Sequence, residues 1–226
     1  MKQYKYLELL TYIAITIYLV TNVTSSKIIQ LGPFFVSVVV LYWPFSYVLG
    51  DIFTEVYGYG VGRRVIWRTM LCAAIAGIIY FLVARIPVAP GSDLGDYAAF
   101  FRVLGAVPRT IIAGFVTYFV GNFLNDYTLA KMKILTKGRW LWTRTIGSTI
   151  VAQAGETLVF YPLAFYGILP LNLMLAAMLG GWIIKVGVEI IFTPITYWIV
   201  GKLKKIENED YYDYHTNFNP FIIKER

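Results

Sequence analysis

The chain has 226 residues and a formal net charge of +7; 58% of its residues are hydrophobic, 15% are charged, and the mean hydropathy is +0.62. Soluble domains carry roughly 25% charged residues, so a water-soluble fold would lack the polar surface to cover such a core. The positive charge does not point to nucleic acid, because Lys and Arg sit in short clusters between apolar runs, and the lone cysteine, Cys72, excludes an internal disulfide or a cysteine metal cluster.

Six apolar segments are long enough to cross a ~30 Å hydrocarbon core at about 1.5 Å per residue. In chain order they span residues 7–25, 34–53, 67–87, 107–126, 145–167 and 172–200. The first follows Lys2 and Lys5 like a signal peptide, but it is long and lacks a small-x-small cleavage site, so it reads as a retained helix. Between the third and fourth, the stretch with Asp93, Asp96 and Arg102 suits a short interfacial helix. Residues 1–205 form the membrane domain and 206–226 a polar tail, which is expected to be dispensable for the membrane fold. Its Tyr211, Tyr212 and Tyr214 would let it dock on the membrane domain. The fold class expected is all-α, a polytopic membrane protein of six transmembrane helices.

Alternating the loops between two sides places fifteen Lys and Arg residues on one side and four on the other, with Lys185 inside the sixth segment. By the positive-inside rule the first side, which holds both termini, is cytoplasmic. Trp67, Trp140, Trp142, Tyr197 and Trp198 flank segments at headgroup level, where amphipathic rings anchor a helix.

Ionisable groups at membrane depth cost roughly 2.5–3.5 kcal/mol each on insertion scales, so each needs a reason. Asp51 and Glu55 are on the second segment, Asn122, Asn125 and Asp126 on the fourth, Glu156 on the fifth, and Lys185 and Glu189 on the sixth. Thr149, Gln153 and Glu156 recur at i, i+4 and i+7, which stacks them on one helix face; Lys185 and Glu189 form an i, i+4 stripe. The short connection at 168–171 makes the fifth and sixth helices antiparallel partners, so Glu156 and Lys185 can meet near the midplane. Two readings stand: an ion pair that fixes register, or the lining of a polar cavity for a small polar solute. Arg63 and Arg64 are placed to neutralise Asp51 and Glu55. Asn22, Thr24, Ser25 and Ser26 form a polar patch at the far end of the first helix, either capping that end or lining an outward-facing access point. No Walker loop, GxGxxG, HExxH or GxSxG is present, and the only histidine, His215, is in the tail, so no catalytic machinery or cofactor is expected.

The block GDIFTEVYG at 50–58, followed by Gly62-Arg63-Arg64-Val65-Ile66-Trp67, resembles the signature of the vitamin uptake, or queuosine precursor, transporter family. SSKIIQLG at 25–32, AGETLVFYPLAF at 154–165, IIKVGVEIIFTPITYWIVGKLKK at 183–205 and the tail's NFNPF at 217–221 are similar to it in the same order. The resemblance implies import of a 7-deazaguanine, such as 7-cyano-7-deazaguanine, across a bacterial inner membrane. It also implies a fold like that of the substrate-binding subunits of energy-coupling-factor transporters. The alternative is such a binding subunit, dependent on a separate ATP-driven module. A homo-oligomer and an energy-coupling module are both open as partners, beside the small-molecule substrate and the bilayer. The substrate-binding candidates are Glu156, Lys185, Gln153, Asn22, Asp51, Glu55 and Glu189. Glu156 suits the two-donor edge of a deazaguanine, Gln153 or Lys185 its carbonyl, and Phe160 or Tyr42 its ring face.

Overall fold

The computed structural model describes residues 3–24, 27–31, 34–87, 108–167 and 170–222. Six α-helices account for most of them: α1 (Leu7–Thr24), α2 (Pro44–Tyr57), α3 (Tyr59–Val83), α4 (Pro108–Leu135), α5 (Leu141–Phe165) and α6 (Leu171–Glu207). Ser25, Ser26 and the proposed interfacial segment with Asp93, Asp96 and Arg102 lie outside the described residues.

The first helix shows how an apolar rod carries hydroxyls without cost. Thr11, Thr16, Thr21 and Thr24 each donate to the carbonyl four residues back, at 2.8 Å, so none of these threonine protons is left facing hydrocarbon.

The second segment departs from expectation. Residues 34–53 do not form one spanning helix. Ile28–Leu31 (β1) and Phe34–Ser37 (β2) pair antiparallel, with Ile28 opposite Ser37 and Leu31 opposite Phe34. A 3₁₀ turn over Val38–Leu41 follows, and α2 begins only at Pro44. The run Phe34-Phe35-Val36-Ser37-Val38-Val39-Val40 is aromatic and β-branched, which favours extended backbone. Proline then starts the helix, where its missing N–H is not needed. The fourteen residues of α2 reach only about 21 Å, short of a ~30 Å core.

The hydrogen bonds at one end of the bundle fix the topology. The start of α1, the ends of α2 and α4, the starts of α3 and α5 and the end of α6 all gather there, so the helices run alternately up and down. At this end, here termed the basic end, Lys5 and Tyr6 donate backbone N–H groups to Glu207 at 2.9 and 2.8 Å, and Tyr57 donates its hydroxyl to the same carboxylate at 3.0 Å. The final residue of α6 thereby satisfies the donors at the N-terminus of α1.

The short helix α2 is the centre of the packing, in contact with α1, α3, α4 and α6. Val48, Leu49, Ile52, Phe53 and Val56 on it meet Val61 and Val65 of α3 and Val200 and Leu203 of α6 in one buried cluster. Gly58, with φ of 88°, makes the corner into α3, and a Cβ there would lie 2.2 Å from the Tyr211 ring. Helices α4 and α5 approach closely because Gly155 has no side chain; a Cβ there would be 2.4 Å from Leu124.

Among the described residues, three helices are long and apolar enough to cross a membrane: α1, α3 and α6. On α3, Leu71, Ile75, Ile78 and Leu82 project outward at i, i+4, i+7 and i+11, an apolar stripe suited to lipid. The 37 residues of α6 extend about 55 Å, beyond the hydrocarbon thickness, so this helix continues past the membrane at the basic end. The chain is an all-α membrane protein with one small hairpin.

The tail is not a loose appendage. Tyr211 donates its N–H to the Val56 carbonyl at 3.2 Å, and the Asp213 carboxylate receives the Tyr59 N–H at 3.1 and 3.2 Å, capping α3. Arg63 donates to the carbonyls of Asn217 and Asn219 at 2.8 and 2.7 Å, and the Trp67 indole to that of Pro220 at 2.8 Å. The docking expected of the tyrosines is present, and it extends along most of the segment.

Candidate functional site

Two polar assemblies occupy the bundle interior. The first is an ionic cluster at the basic end. Glu55, fully buried, receives both Nε and Nη2 of Arg144 at 3.1 and 2.8 Å and Nζ of Lys204 at 2.6 Å, with Lys133 at 3.6 Å. Lys133 and Lys204 also reach Asp210 of the tail, at 2.6 and 2.8 Å. Burial pushes the Asp210 carboxyl up, but the hydrogen bonds from these two ammonium groups outweigh it and hold the group below the ordinary carboxylate range. Nearby, burial and the Glu209 carboxylate raise the Tyr4 phenol to about 12.

The cluster corrects the expected pairing of Asp51 and Glu55 with Arg63 and Arg64. The guanidinium on Glu55 is that of Arg144, from α5, while Arg63 turns to the tail. The Arg63 guanidinium is taken up by the carbonyls of Asn217 and Asn219. A pairing over 89 residues leaves no spacing signal.

The second assembly lies deeper, between α2, α4, α5 and α6. Lys185 donates to Glu156 across 2.8 Å, so the two residues expected to meet do so. The antiparallel pairing of α5 and α6 is further held by Tyr161 donating to the Ala177 carbonyl at 3.0 Å and Trp142 N–H donating to the Tyr197 hydroxyl at 2.9 Å. Asp51 is buried and receives the side-chain amide of Asn125 at 2.9 Å on one oxygen. Asp126 sits against α3 where Gly62 leaves room; a Cβ there would be 2.3 Å from its carboxylate.

Several atoms of this assembly have no hydrogen-bond partner among the described residues. They are Oδ2 of Asp51, Oε1 of Gln153, the hydroxyl of Tyr47 and both carboxylate oxygens of Glu189, all buried. Asp51 and Glu189 are close enough to feel each other's charge, and Tyr47 feels both Glu156 and Glu189. Buried polar atoms are nearly always paired, so a concentration of unpaired acceptors marks chemistry that the fold itself does not use.

Aromatic rings border the same region. Tyr18 lies 4.1 Å from Tyr118 and 6.5 Å from Trp43 by ring centroid, and Trp43 meets Tyr47 edge-on at 6.2 Å. Tyr18 also feels the Glu156 charge. Of the rings expected to stack, Tyr42 meets the Thr24 hydroxyl, and Phe160, one turn from Glu156 on α5, meets Tyr161 edge-on. Nothing in their spacing separates Tyr18, Trp43, Tyr47 and Tyr118 from the many aromatics of the chain; their shared neighbourhood is tertiary. Asn22 is half-buried near the far end of α1. Among the described residues, no three His, Cys, Asp or Glu side chains group as a metal site.

A family model described as "Putative vitamin uptake transporter" matches residues 37–199, which takes in α2 to α5 and most of α6. The chain belongs to that family. Its members are transporters rather than enzymes, and this transporter acts on a small molecule at the lipid bilayer. It is 26% identical over 161 residues, 71% of its length and 68% of the relative's, to a Bacillus subtilis (strain 168) protein named "Probable queuosine precursor transporter". It is also 25% identical over 124 residues to the Escherichia coli (strain K12) "Queuosine precursor transporter", covering 55% of this chain and 52% of that one. No solved structure matches the transporter.

Proposed function

We propose that this transporter imports a queuosine precursor, a 7-deazaguanine such as 7-cyano-7-deazaguanine, across a bacterial inner membrane, with six crossings and both termini cytoplasmic. The names of the two relatives support the substrate class, and the fifteen-to-four basic split supports the orientation. The observation that carries the reading is the group of unpartnered buried acceptors beside the Tyr18, Trp43 and Tyr47 rings. Substrate sites of this kind are largely apolar, with a few convergent polar groups that fix orientation. A planar base rich in N–H donors matches both the rings and the acceptors.

Asp51, Gln153, Glu156, Lys185 and Glu189 are the residues proposed to border the substrate. Glu55 is left out, because the ionic cluster engages both its oxygens. Asn22 is assigned to access from the outer end. The helical order is compatible with the energy-coupling-factor binding subunits, and the chain has no nucleotide motif, so use of ATP would require a separate module.

Purified protein in liposomes, offered labelled 7-cyano-7-deazaguanine, guanine and unrelated vitamins, tests the reading. Uptake of the deazaguanine without other chains supports a self-sufficient importer. Binding without uptake supports the module-dependent form. Preference for an unrelated vitamin would overturn the substrate assignment.

A further inference from the structure

Helices α5 and α6 each bring one carboxylate to the interior, and the two have opposite surroundings. Glu156 is held by Lys185 at 2.8 Å. Glu189, one turn beyond Lys185 on the same helix, is fully buried, and neither of its oxygens has a partner among the described residues. Lys185 bonds to Glu156 and makes no hydrogen bond to Glu189. The nearby Thr193 hydroxyl donates to the backbone carbonyl of Glu189 at 2.8 Å, so its proton is committed there and not to the carboxylate.

On the functional reading above, we infer that Glu189 is the specificity-determining residue of the site. Its two oxygens receive the adjacent N–H donors of the ligand's 2-amino-lactam edge, while the Glu156–Lys185 pair fixes the α5–α6 register and does not read the base.

The chemistry of the neighbours supports this division. Further unpartnered side-chain atoms include Oδ2 of Asp51 and Oε1 of Gln153, both acceptors, and the hydroxyls of Tyr47 and Thr54, which can donate. Acceptors without donors are complemented by a ligand that brings several N–H groups. The two oxygens of a carboxylate match two parallel N–H bonds, as in its fork with guanidinium, and a charged acceptor makes these bonds stronger than neutral ones. The Tyr47 hydroxyl can donate to the lactam carbonyl. A site that hydrogen-bonds a particular edge strongly rejects analogues lacking it, because the protein acceptors are then left buried and unpaired.

The test compares 7-cyano-7-deazaguanine with two analogues, one without the 2-amino group and one methylated at N1, by affinity to the purified transporter. The wild type is expected to bind each analogue roughly a hundredfold more weakly. Glu189→Gln should lose affinity for the parent compound and most of its preference over the analogues. Equal binding of the three compounds by the wild type overturns the inference without touching the functional reading, and this arm requires no variant to fold. Preference retained in Glu189→Gln also overturns it. If the wild type binds no deazaguanine at all, the functional reading fails, and the assignment of Glu189 fails with it.

Discussion

The Lys185 ammonium and the Glu156 carboxylate meet across 2.8 Å, joining α5 to α6 deep in the bundle. Their side chains are 35% and 18% exposed, so the pair is only partly shielded from its surroundings. Removing one partner leaves the other charge poorly compensated. Glu156→Gln is expected to cost about 1–2 kcal/mol, less than a fully buried pair because of this exposure, and Lys185→Met in the same chain should restore most of it. Thermal unfolding in detergent of the two single variants and the double variant measures this; equal losses that simply add would show that the contact contributes nothing.

A larger loss is expected at Arg144. Its guanidinium is 1% exposed and grips Glu55 with two nitrogens. Arg144→Leu leaves the buried Glu55 with Lys204 and Lys133 alone and should cost about 3 kcal/mol or more. Arg144→Lys keeps the charge but not the planar fork, so it should fall between the two. Unfolding midpoints of the three proteins decide the order.

The tail supplies a prediction opposite to the one its composition suggests. Truncation after Lys205 removes Glu207, Asp210 and Asp213, which hold α1, Lys133 and α3 respectively. The shortened chain should insert but melt well below the full chain. An unchanged melting temperature would show that the strap is ornamental to stability.

Acid should weaken the same strap in a defined sense. The folded-state pKa of Asp210 is depressed, so its contribution is fully present above the unfolded value of about 3.9 and is lost as pH falls through the lower folded value. Asp210→Asn should therefore be less stable than wild type at neutral pH, with the difference closing below about pH 4. A difference that persists unchanged to lower pH would contradict the charge-based account.

The proposed six-crossing topology puts residue 95 and residue 135 on opposite sides, with 135 cytoplasmic. Reporter fusions at the two positions are expected to give opposite signals, and one shared side would break the alternating topology.

Much of this was legible in the sequence, and the failures have physical causes. The runs behind α1, α3 and α6 read as helices because they are long and continuous. The 34–53 run has the same apolarity, but its β-branched stretch and Pro44 divide it into a strand, a turn and a short helix; hydrophobicity alone does not separate these. Glu156 and Lys185 were legible as partners because a short turn joins their helices and fixes their relative depth. The Glu55–Arg144 contact and the threading of the tail depend on where distant helices end, and no local period encodes that. The unpartnered oxygens of Glu189 were also hidden, since a sequence shows that a carboxylate is present and not whether anything answers it.

The strap has a consequence for how the protein is made. Membrane helices are inserted in order, and Glu55, Lys133 and Arg144 are in place before the residues that complete their environment have been synthesised. Glu207 ends α6, and Asp210 and Asp213 follow it, so the basic end closes only after all the described helices have been synthesised. Until then, α1 lacks its anchor and Lys133 lacks two of its acceptors. A chain that stopped after Lys205 would carry all six described helices with their basic ends unfastened.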